Sequence, residues 1–176
     1  MKTIKEIKSS ENINGVNVIK LDTFSDLRGE IWSIYSPEHS DVEYKLDKVT
    51  ISKLGVLRGF HADSLNCKLI TCLHGKFQLA IADARESSDT YGNTEVHIIT
   101  DEDPTLVFIP KGCLNAHLSL SEKCIFHYKW SHGYVQPESQ ATVVWNDKTL
   151  DIEWMHNNPI ISDRDRNGKK FETIKF

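Results

Sequence analysis

The segment Val56-Leu57-Arg58-Gly59-Phe60-His61 places an arginine and a histidine beside a glycine in an otherwise apolar stretch. A histidine titrates near neutral pH and can act as a general base, and a guanidinium binds phosphate oxygens. Residues i and i+2 of a strand share a face, so Arg58 and His61 converge only if the chain kinks at Gly59. An alternative stays open, with Arg58 in a surface ion pair and His61 as a hydrogen-bonded core residue. Lys68 either points into a barrel or lies at a frayed strand edge.

A second group of polar residues follows the turn Pro110-Lys111-Gly112, where Asn115 and His117 alternate along the chain. This turn resembles the second half of the cupin pattern, in which a histidine usually occupies the position of Asn115. A metal-binding cupin also carries H-x-H and a nearby glutamate in its first half, whereas His61 is followed by alanine and aspartate. Fewer than three good ligands can be named, so we expect no metal centre.

The segment Tyr128-Lys129-Trp130, with Tyr134 six residues after Tyr128, offers phenol groups. Aromatic residues on a strand more often belong to the core. A tyrosine can nevertheless serve as a general acid in a dry pocket. Both interpretations stay open from these residues alone.

The elements that must position these residues are predicted to be short strands separated by glycine-containing turns. This pattern predicts an all-β sandwich or barrel, organised as one domain over residues 1–176. Two of the strands flank Gly75 and are predicted to form a hairpin. Short helices are expected only near Ser36–Asp41 and in the C-terminal tail. The predicted strands are Val16–Leu21, Glu30–Tyr35, Lys45–Lys53, Lys68–Cys72, Phe77–Asp83, Val96–Thr100, Leu106–Ile109, Lys123–Trp130 and Ala141–Trp145.

The composition excludes several classes of protein. The 176 residues carry 21 Lys and Arg against 25 Asp and Glu, a net charge of −4, which argues against nonspecific nucleic-acid binding. A few local cations could still hold one phosphate group. We expect neither a membrane span nor a secretory signal. None of the four cysteines forms a C-x-x-C pair, so we expect reduced thiols in a cytoplasmic protein.

Together these segments resemble the dTDP-4-dehydrorhamnose 3,5-epimerase family of sugar-nucleotide enzymes. The resemblance covers roughly residues 20–165 and implies a cupin-type jelly roll of two antiparallel sheets, with short helices and a C-terminal tail. It also implies a homodimer that exchanges N-terminal strands. The matching segments, in family order, are Asp26–Gly29, Val56–His61, Lys68-Leu69, Asp83–Arg85 with Ser88 and Tyr91-Gly92, Ile109–Gly112, Tyr128-Lys129, Trp145–Asp147, Ile152–Trp154 and Ser162–Asp165.

Departures from the rhamnose enzymes point to one branch of this family. The rhamnose enzymes carry a glutamine and an asparagine associated with thymine binding, where this chain has Leu46-Asp47-Lys48. The chain resembles instead the branch that acts on GDP-4-keto-heptose or its 6-deoxy form in bacterial capsule synthesis. The segments Arg28–Trp32, Asn115-x-His117 and Ile161–Asp165 carry this likeness. We therefore expect a GDP-linked substrate.

The resemblance implies epimerisation at C3, C5 or both of a nucleotide-linked 4-keto sugar, without a cofactor. His61 would remove the proton next to the ketone, and Asp165 would orient its imidazole. Lys68, helped by Asn115, would face the enolate oxygen, where negative charge develops. Tyr128 would return a proton from the opposite face.

The remaining residues implied by the resemblance bind substrate. Arg28 and Arg58 would contact the pyrophosphate or the sugar, and Tyr134 and His117 would line the pocket. Two alternatives use the same fold: a sugar-nucleotide 3,4-ketoisomerase and a noncatalytic sugar-binding cupin. The latter needs no acid and base pair, so the joint presence of the catalytic residues argues against it.

Overall fold

The computed structural model describes residues 3–36 and 41–176 and confirms the all-β prediction. With strands numbered in chain order, the larger antiparallel sheet has six strands. Their spatial order is β1 (Ile4–Ser9), β2 (Asn17–Leu21), β10 (Thr105–Ile109), β7 (Lys68–His74), β12 (Lys123–Trp130) and β5 (Leu46–Lys53).

The second antiparallel sheet has five strands, and a separate hairpin lies outside both sheets. The spatial order of the five is β13 (Ala141–Thr142), β6 (Leu57–Ala62), β11 (Cys113–Ser119), β8 (Lys76–Asp83) and β9 (Thr94–Thr100). The hairpin pairs β3 (Phe24–Asp26) with β4 (Gly29–Ile31). Within residues 3–36 and 41–176 the helical segments are short: 3-10 turns at Pro137–Ser139 and Phe171–Thr173, and one α-helix, α1 (Asp163–Arg166).

The core lies between the two large sheets, because their facing strands carry nearly continuous apolar runs. Phe77 on β8 and Phe126 on β12 are both buried and their ring centroids lie 5.0 Å apart, so they join the sheets. Fully burying an aromatic or aliphatic side chain contributes about 1.5–3 kcal/mol. This packing fixes the spacing of the strands that carry the polar residues discussed below.

The predicted hairpin around Gly75 is wrong. β7 belongs to the six-stranded sheet, while β8 pairs with β9 and β11 in the other sheet. The single linking residue, Gly75, adopts φ +77° and carries the chain from one sheet to the other. One residue is too short a link for the two-residue turn that favours hairpin pairing.

Two predicted strands are shorter than expected, and four observed strands, β1, β3, β6 and β11, are not among the predicted ones. Residues 32–35 leave the ladder, and Trp32 and Tyr35 pack their side chains on the cluster around Leu21 instead. After β13, Val143 still exchanges two backbone hydrogen bonds with Phe60 of β6 and also bridges Lys169 in the C-terminal segment, and the predicted strand does not continue to Trp145. Of the helix predicted near Ser36–Asp41, residues 37–40 lie outside the described residues.

The C-terminal segment is anchored along the edge of β6. The amide of Leu57 donates to the carbonyl of Ile160 at 2.9 Å. Ser162 then caps α1 and accepts a hydrogen bond from the amide of Asp165 at 3.2 Å. A serine N-cap satisfies a free amide of the first turn and fixes where the helix begins. Asp165 is thereby held buried against β6.

All four cysteines are free in the structure, and the reduced state stays a prediction. Cys72, Cys113 and Cys124 are buried within the sheets. In the described part of the chain, no helix has the length and apolar character needed to cross a membrane.

Gly59 provides the kink that the sequence required between Arg58 and His61. Its φ is +120°, and a Cβ atom there would lie 2.6 Å from the carbonyl oxygen of Asn115 and 2.7 Å from the Cα of Ala116. Only glycine allows β6 to approach β11 this closely while adopting that backbone conformation.

We predict that Gly59→Ala lowers the free energy of unfolding by about 2 kcal/mol or more, through backbone strain and overpacking. Gly29→Ala is the matched control, since Gly29 has φ +121° and a Cβ atom there would meet nothing within 4 Å. Gly29→Ala introduces the backbone strain without the crowding, so it should lower the free energy of unfolding by less than Gly59→Ala does. Urea denaturation measures the free energy of unfolding of both variants. An equal loss of stability in the two variants would contradict the packing role of Gly59.

Candidate active site

One cavity of about 230 Å³ lies between the two sheets. Its lining includes Lys48 and Thr50 on β5 as well as Arg58 and His61 on β6. Eight of the nine residues predicted for the site line it, on strands that belong to both sheets or in the segments that follow them. They are Arg58, His61, Lys68, Asn115, His117, Tyr128, Tyr134 and Asp165.

His61 and Asp165 form the shortest contact between titratable groups in this cavity. The Nε2 of His61 lies 2.6 Å from Oδ1 of Asp165, and the amide of Gly59 donates to Oδ2 at 3.3 Å. A carboxylate only accepts, so Nε2 carries the proton and Nδ1 keeps its lone pair. The pair therefore presents an oriented imidazole that can take up a proton.

Burial and charge set the protonation states of this pair. Burial lowers the pKa of His61 below 6.5, although Asp165 opposes that shift, so the imidazole is neutral near pH 7. Burial alone would raise the pKa of Asp165, but the hydrogen bonds from His61, Gly59 and Ser162 lower it on balance. A neutral imidazole beside an ionised carboxylate is the form that a general base needs.

Lys68 points into the cavity and does not fray at a strand edge. Its Nζ donates to Oδ1 of Asn115 at 2.6 Å and to the carbonyl oxygen of His61 at 3.0 Å. These bonds cross from β7 in one sheet to β11 and β6 in the other. Burial lowers the pKa of Lys68 to about 8, which leaves most of the ammonium charged at neutral pH.

Tyr128 stands on the opposite wall from His61, because β12 and β6 belong to different sheets. Burial raises the pKa of its phenol, so the hydroxyl keeps its proton and can donate it. Its register partners are Lys48 on β5 and Ile70 on β7. A base and an acid thus face each other across one cavity.

Two further cations in the cavity, Lys48 and Arg164, were not identified as site residues from the sequence. Lys48 Nζ lies 4.4 Å from the centroid of the Trp130 ring and 5.2 Å from that of Tyr134. Arg164 donates to Thr142 Oγ1 at 3.0 Å and to Gln140 Oε1 at 3.2 Å. Residues i and i+2 of a strand share a face, so alternation along β5 puts Lys48 on the same face as Thr50. That alternation was the sequence signal from which Lys48 could have been predicted to face the cavity.

The cavity is therefore positively charged. Lys48, Arg58, Lys68 and Arg164 line it, against the single carboxylate of Asp165. Within the described residues none of the four cations forms a salt bridge, and Arg58 donates instead to the hydroxyl of Ser52 at 3.2 Å. Unpaired cations in a partly buried cavity favour an anionic ligand.

Arg28 is the one predicted site residue that does not line this cavity. It lies at the turn of the β3–β4 hairpin, where its side chain is 80% exposed and pairs with Asp26 at 2.6 Å. Tyr134 lies at the rim, with its ring stacked near Trp130 at 6.5 Å between centroids. The chain alone therefore brings Arg28 to no ligand site.

Metal binding was not expected, and that stays a prediction. In the residues that the structure describes, no group of three or more His, Cys, Asp or Glu side chains is arranged to hold a metal ion. The cavity presents an imidazole, a phenol and a cationic hydrogen-bond donor, groups that suit acid–base chemistry.

Known proteins resemble this chain in sequence and in fold. The family model described as dTDP-4-dehydrorhamnose 3,5-epimerase matches residues 10–173. A protein of that name from Methanothermobacter thermautotrophicus is 32% identical, over 96% of this chain and 95% of its own.

Solved structures of the same kind superpose closely. A dTDP-6-deoxy-D-glucose-3,5-epimerase from Legionella pneumophila, in complex with dTDP-4-keto-L-rhamnose, has a TM-score of 0.90 at 26% identity, covering 97% of this chain and 94% of its own. A 3'-monoepimerase from Streptomyces bikiniensis, in complex with dTDP-quinovose, has a TM-score of 0.87 at 27% identity, covering 94% and 88%.

These matches span nearly the whole length of the chain, and the fold they share is the cupin-type arrangement expected from the sequence. They carry the names of isomerases that act on sugar nucleotides, and two of the structures hold dTDP sugars. The chain belongs to the dTDP-4-dehydrorhamnose 3,5-epimerase family of isomerases.

Proposed function

We propose that this chain inverts C3, C5 or both centres of a nucleotide-linked 4-keto sugar, without a cofactor. The observation that carries the proposal is the placement of the His61–Asp165 pair and Tyr128 on facing walls of one cationic cavity. A base and an acid on opposite faces of a bound sugar can remove a proton from one side and return one to the other.

Proton removal falls to Nδ1 of His61. A hydrogen on a carbon next to the C4 ketone is acidic because its loss gives an enolate. The neutral imidazole accepts that proton, and the ionised Asp165 stabilises the imidazolium that results. Since both C3 and C5 adjoin the ketone, the position of the sugar relative to this one base decides which centre exchanges.

The enolate needs a positive partner at O4. Lys68 meets that need, because its hydrogen bonds run to the neutral oxygens of Asn115 and His61 and leave its charge uncompensated. A preorganised donor at the point where charge develops commonly contributes about 10²–10³ in rate. Tyr128 then donates its proton to the carbanion carbon from the other wall.

The leading candidate for the nucleotide is a dTDP sugar. The family model and the Methanothermobacter relative are named for dTDP-4-dehydrorhamnose, and the two solved structures hold dTDP sugars. Arg58, Arg164 and Lys48 supply the positive charge that a diphosphate requires. The reaction class is the same whichever nucleotide is bound.

GDP-4-keto-heptose, or its 6-deoxy form, is the second candidate. It is favoured by Lys48, which stands at the strand where the rhamnose enzymes carry their thymine-associated residues, and by Asn115 in place of the usual histidine. Both residues line the cavity. We keep this substrate as a proposal that depends on resemblance at those positions.

We also propose a homodimer. The β3–β4 hairpin exposes three large apolar side chains, Phe24 (51% exposed), Leu27 (100%) and Ile31 (62%). Apolar surface of this kind is commonly covered by a partner. In such a dimer the hairpin packs on a second copy, and Arg28 contacts the substrate held there.

Incubation in heavy water tests the reaction and the base together. With dTDP-4-keto-6-deoxyglucose, and in parallel with GDP-4-keto-heptose, the wild type should incorporate deuterium next to the ketone and invert that centre. His61→Asn should lower exchange by about 10²-fold or more. In the wild type the rate should fall as the pH drops below 6.5, because His61 is then protonated, and again above about pH 8, because Lys68 then loses its positive charge.

The matched control is His97→Asn. His97 pairs with Glu95 at 3.0 Å outside the cavity, so the loss of a comparable His–carboxylate pair there should leave exchange unchanged. Exchange at the wild-type rate in His61→Asn would refute the base assignment. A product in which the ketone has moved would identify a 3,4-ketoisomerase, and binding without exchange would identify a noncatalytic cupin.

Tyr128→Phe separates proton removal from proton return. We predict that exchange of the substrate hydrogen with heavy water continues, while inversion falls by about 10²-fold, because the donor on the opposite wall is lost. NMR of substrate and product measures both rates. Tyr91→Phe is the control, since Tyr91 stacks on Phe171 outside the cavity. Full inversion by Tyr128→Phe would rule out Tyr128 as the acid.

The dimer is tested by light scattering after gel filtration. The wild type should elute with twice the chain mass of 20.1 kDa. The double variant Phe24→Asp, Ile31→Asp should shift to the monomer, because charge on the hairpin opposes its burial. Met155→Asp is the control, as Met155 is 65% exposed and its amide donates to Gln78 on β8, which is not part of the hairpin. A dimer that survives the double variant would exclude the hairpin as the contact.

A further inference from the structure

The link between strands β6 and β7 carries a buried amide side chain that no proposed chemical step uses. Asn66 is only 2% exposed, and it lies in the link that runs from His61 on β6 to Lys68 on β7. Buried polar side chains in native proteins are hydrogen-bonded, and a fully satisfied one makes the groups around it rigid. The partners of Asn66 therefore show which parts of the chain it holds.

Asn66 joins this link to the segment that follows β12. Its Oδ1 accepts hydrogen bonds from the backbone amides of His132 at 2.9 Å and Gly133 at 3.3 Å. Its Nδ2 donates to the two carboxylate oxygens of Asp63, at 3.2 and 3.3 Å. A carboxylate only accepts and a backbone amide only donates, so these partners fix the orientation of the Asn66 side chain.

Asp63 is itself held in place. It is 4% exposed, and its Oδ1 also accepts from the amides of Leu65 at 2.9 Å and Asn66 at 2.7 Å. An aspartate that binds the backbone two and three residues ahead makes a well-defined turn. We refer to Asp63 and Asn66 as the clasp, because together they fix the backbone at His132 and Gly133.

The segment that the clasp holds forms part of the wall of the cavity. The lining residues of this segment are Tyr134, Val135, Pro137 and Gln140. In the described part of the chain, no backbone hydrogen bond joins residues 134–136 to either sheet. The two amides bound by Asn66 are therefore the last backbone anchors before Tyr134.

We propose that Asn66 is a positioning residue, which holds this segment so that Tyr134 contacts the bound sugar nucleotide. The proposal rests on the proposed function, because it takes the cavity to be the site of that ligand. Tyr134 lines the cavity and is 57% exposed, so a ligand that fills the cavity covers part of its ring. A side chain already held in its bound position loses less conformational entropy when the ligand binds.

Lys68 does not depend on the clasp for its position. It is the register partner of Ile109 on β10 and of Trp130 on β12, so hydrogen-bonded strands on both sides hold it. Loss of the Asn66 amide should therefore move Tyr134 and leave the proposed catalytic groups in place. The expected kinetic result is a higher KM with a nearly unchanged kcat, because binding is weakened equally in the ground state and the transition state.

The test is a double-mutant cycle of Asn66→Leu and Tyr134→Ala. The inversion rate is measured with dTDP-4-keto-6-deoxyglucose, and in parallel with GDP-4-keto-heptose. Asn66→Leu should raise KM by about tenfold and change kcat by less than about twofold. Tyr134→Ala should also raise KM. In the Tyr134→Ala background, Asn66→Leu should raise KM by less than about twofold, since it acts through that ring.

Gln78→Leu is the matched control for a general loss of stability. Gln78 is 2% exposed and does not line the cavity, and its amide joins the carbonyl of Glu153 at 2.7 Å to the amide of Met155 at 2.9 Å. Gln78→Leu and Asn66→Leu should both lower the thermal unfolding midpoint, because each leaves buried backbone groups without a partner. Only Asn66→Leu should raise KM.

A second pair of variants keeps the size of the side chains. Asn66→Asp alone should raise KM, because its carboxylate lies against that of Asp63 and the two repel each other. The double variant Asp63→Asn, Asn66→Asp restores one carboxylate and one amide with the same donors and acceptors. It should return KM to within about threefold of the wild-type value.

An unchanged KM in Asn66→Leu would overturn the positioning role and leave the epimerase proposal standing. The same holds for increases in KM that multiply in the double variant with Tyr134→Ala, and for a KM that the exchanged pair does not restore. A wild type that inverts neither substrate would contradict the proposed function and this proposal with it.

Discussion

The ammonium group of Lys68 links the two sheets at the point where the chemistry would occur. It leaves β7 in the six-stranded sheet and donates to Asn115 and to the carbonyl of His61 in the five-stranded sheet. Burying a cation without a counterion is costly, and neutral oxygens recover only part of the lost hydration. A hydrophobic residue at position 68 would pack at a lower cost in free energy. A buried charge at such a position is typical of a functional group.

The charged groups around Lys68 are held so that its own charge is not neutralised. Asp165, the one carboxylate in the cavity, is engaged by His61 and the amide of Gly59 and does not neutralise Lys68. The close approach at Gly59 and the capped turn at Ser162 hold that carboxylate in place. As a result, the cavity is positively charged although the whole chain has a net charge of −4. The positive charge is confined to the site.

The sequence was sufficient for the all-β class and for most strand positions, because short β-rich runs between glycine turns are a local signal. It failed at Gly75, since the assignment of two apolar strands to different sheets depends on the whole core. β11 was missed because Asn115 and His117 interrupt its apolar pattern. Both residues line the cavity. The apolar pattern that identifies a strand was therefore interrupted at the positions where polar residues serve the candidate site.

The candidate site was predictable only in part. The sequence drew attention to Arg58, His61 and Lys68 as neighbours of an unusual glycine, but the resemblance was needed to connect Asp165, about a hundred residues away, with His61. Lys48 and Arg164 were missed as site residues because no local pattern separates a cavity cation from a solvated one. Arg28 lies outside the cavity of its own chain, so its proposed contact with substrate depends on the proposed homodimer.

A crystal structure of the His61→Asn variant with bound dTDP-4-keto-6-deoxyglucose or GDP-4-keto-heptose would test the role of Lys68 without intermediate assumptions. We expect the ketone oxygen to accept a hydrogen bond from Nζ of Lys68, with C3 or C5 between residue 61 and the hydroxyl of Tyr128. A diphosphate at Lys68, or a ketone directed away from it toward solvent, would contradict the proposed mechanism.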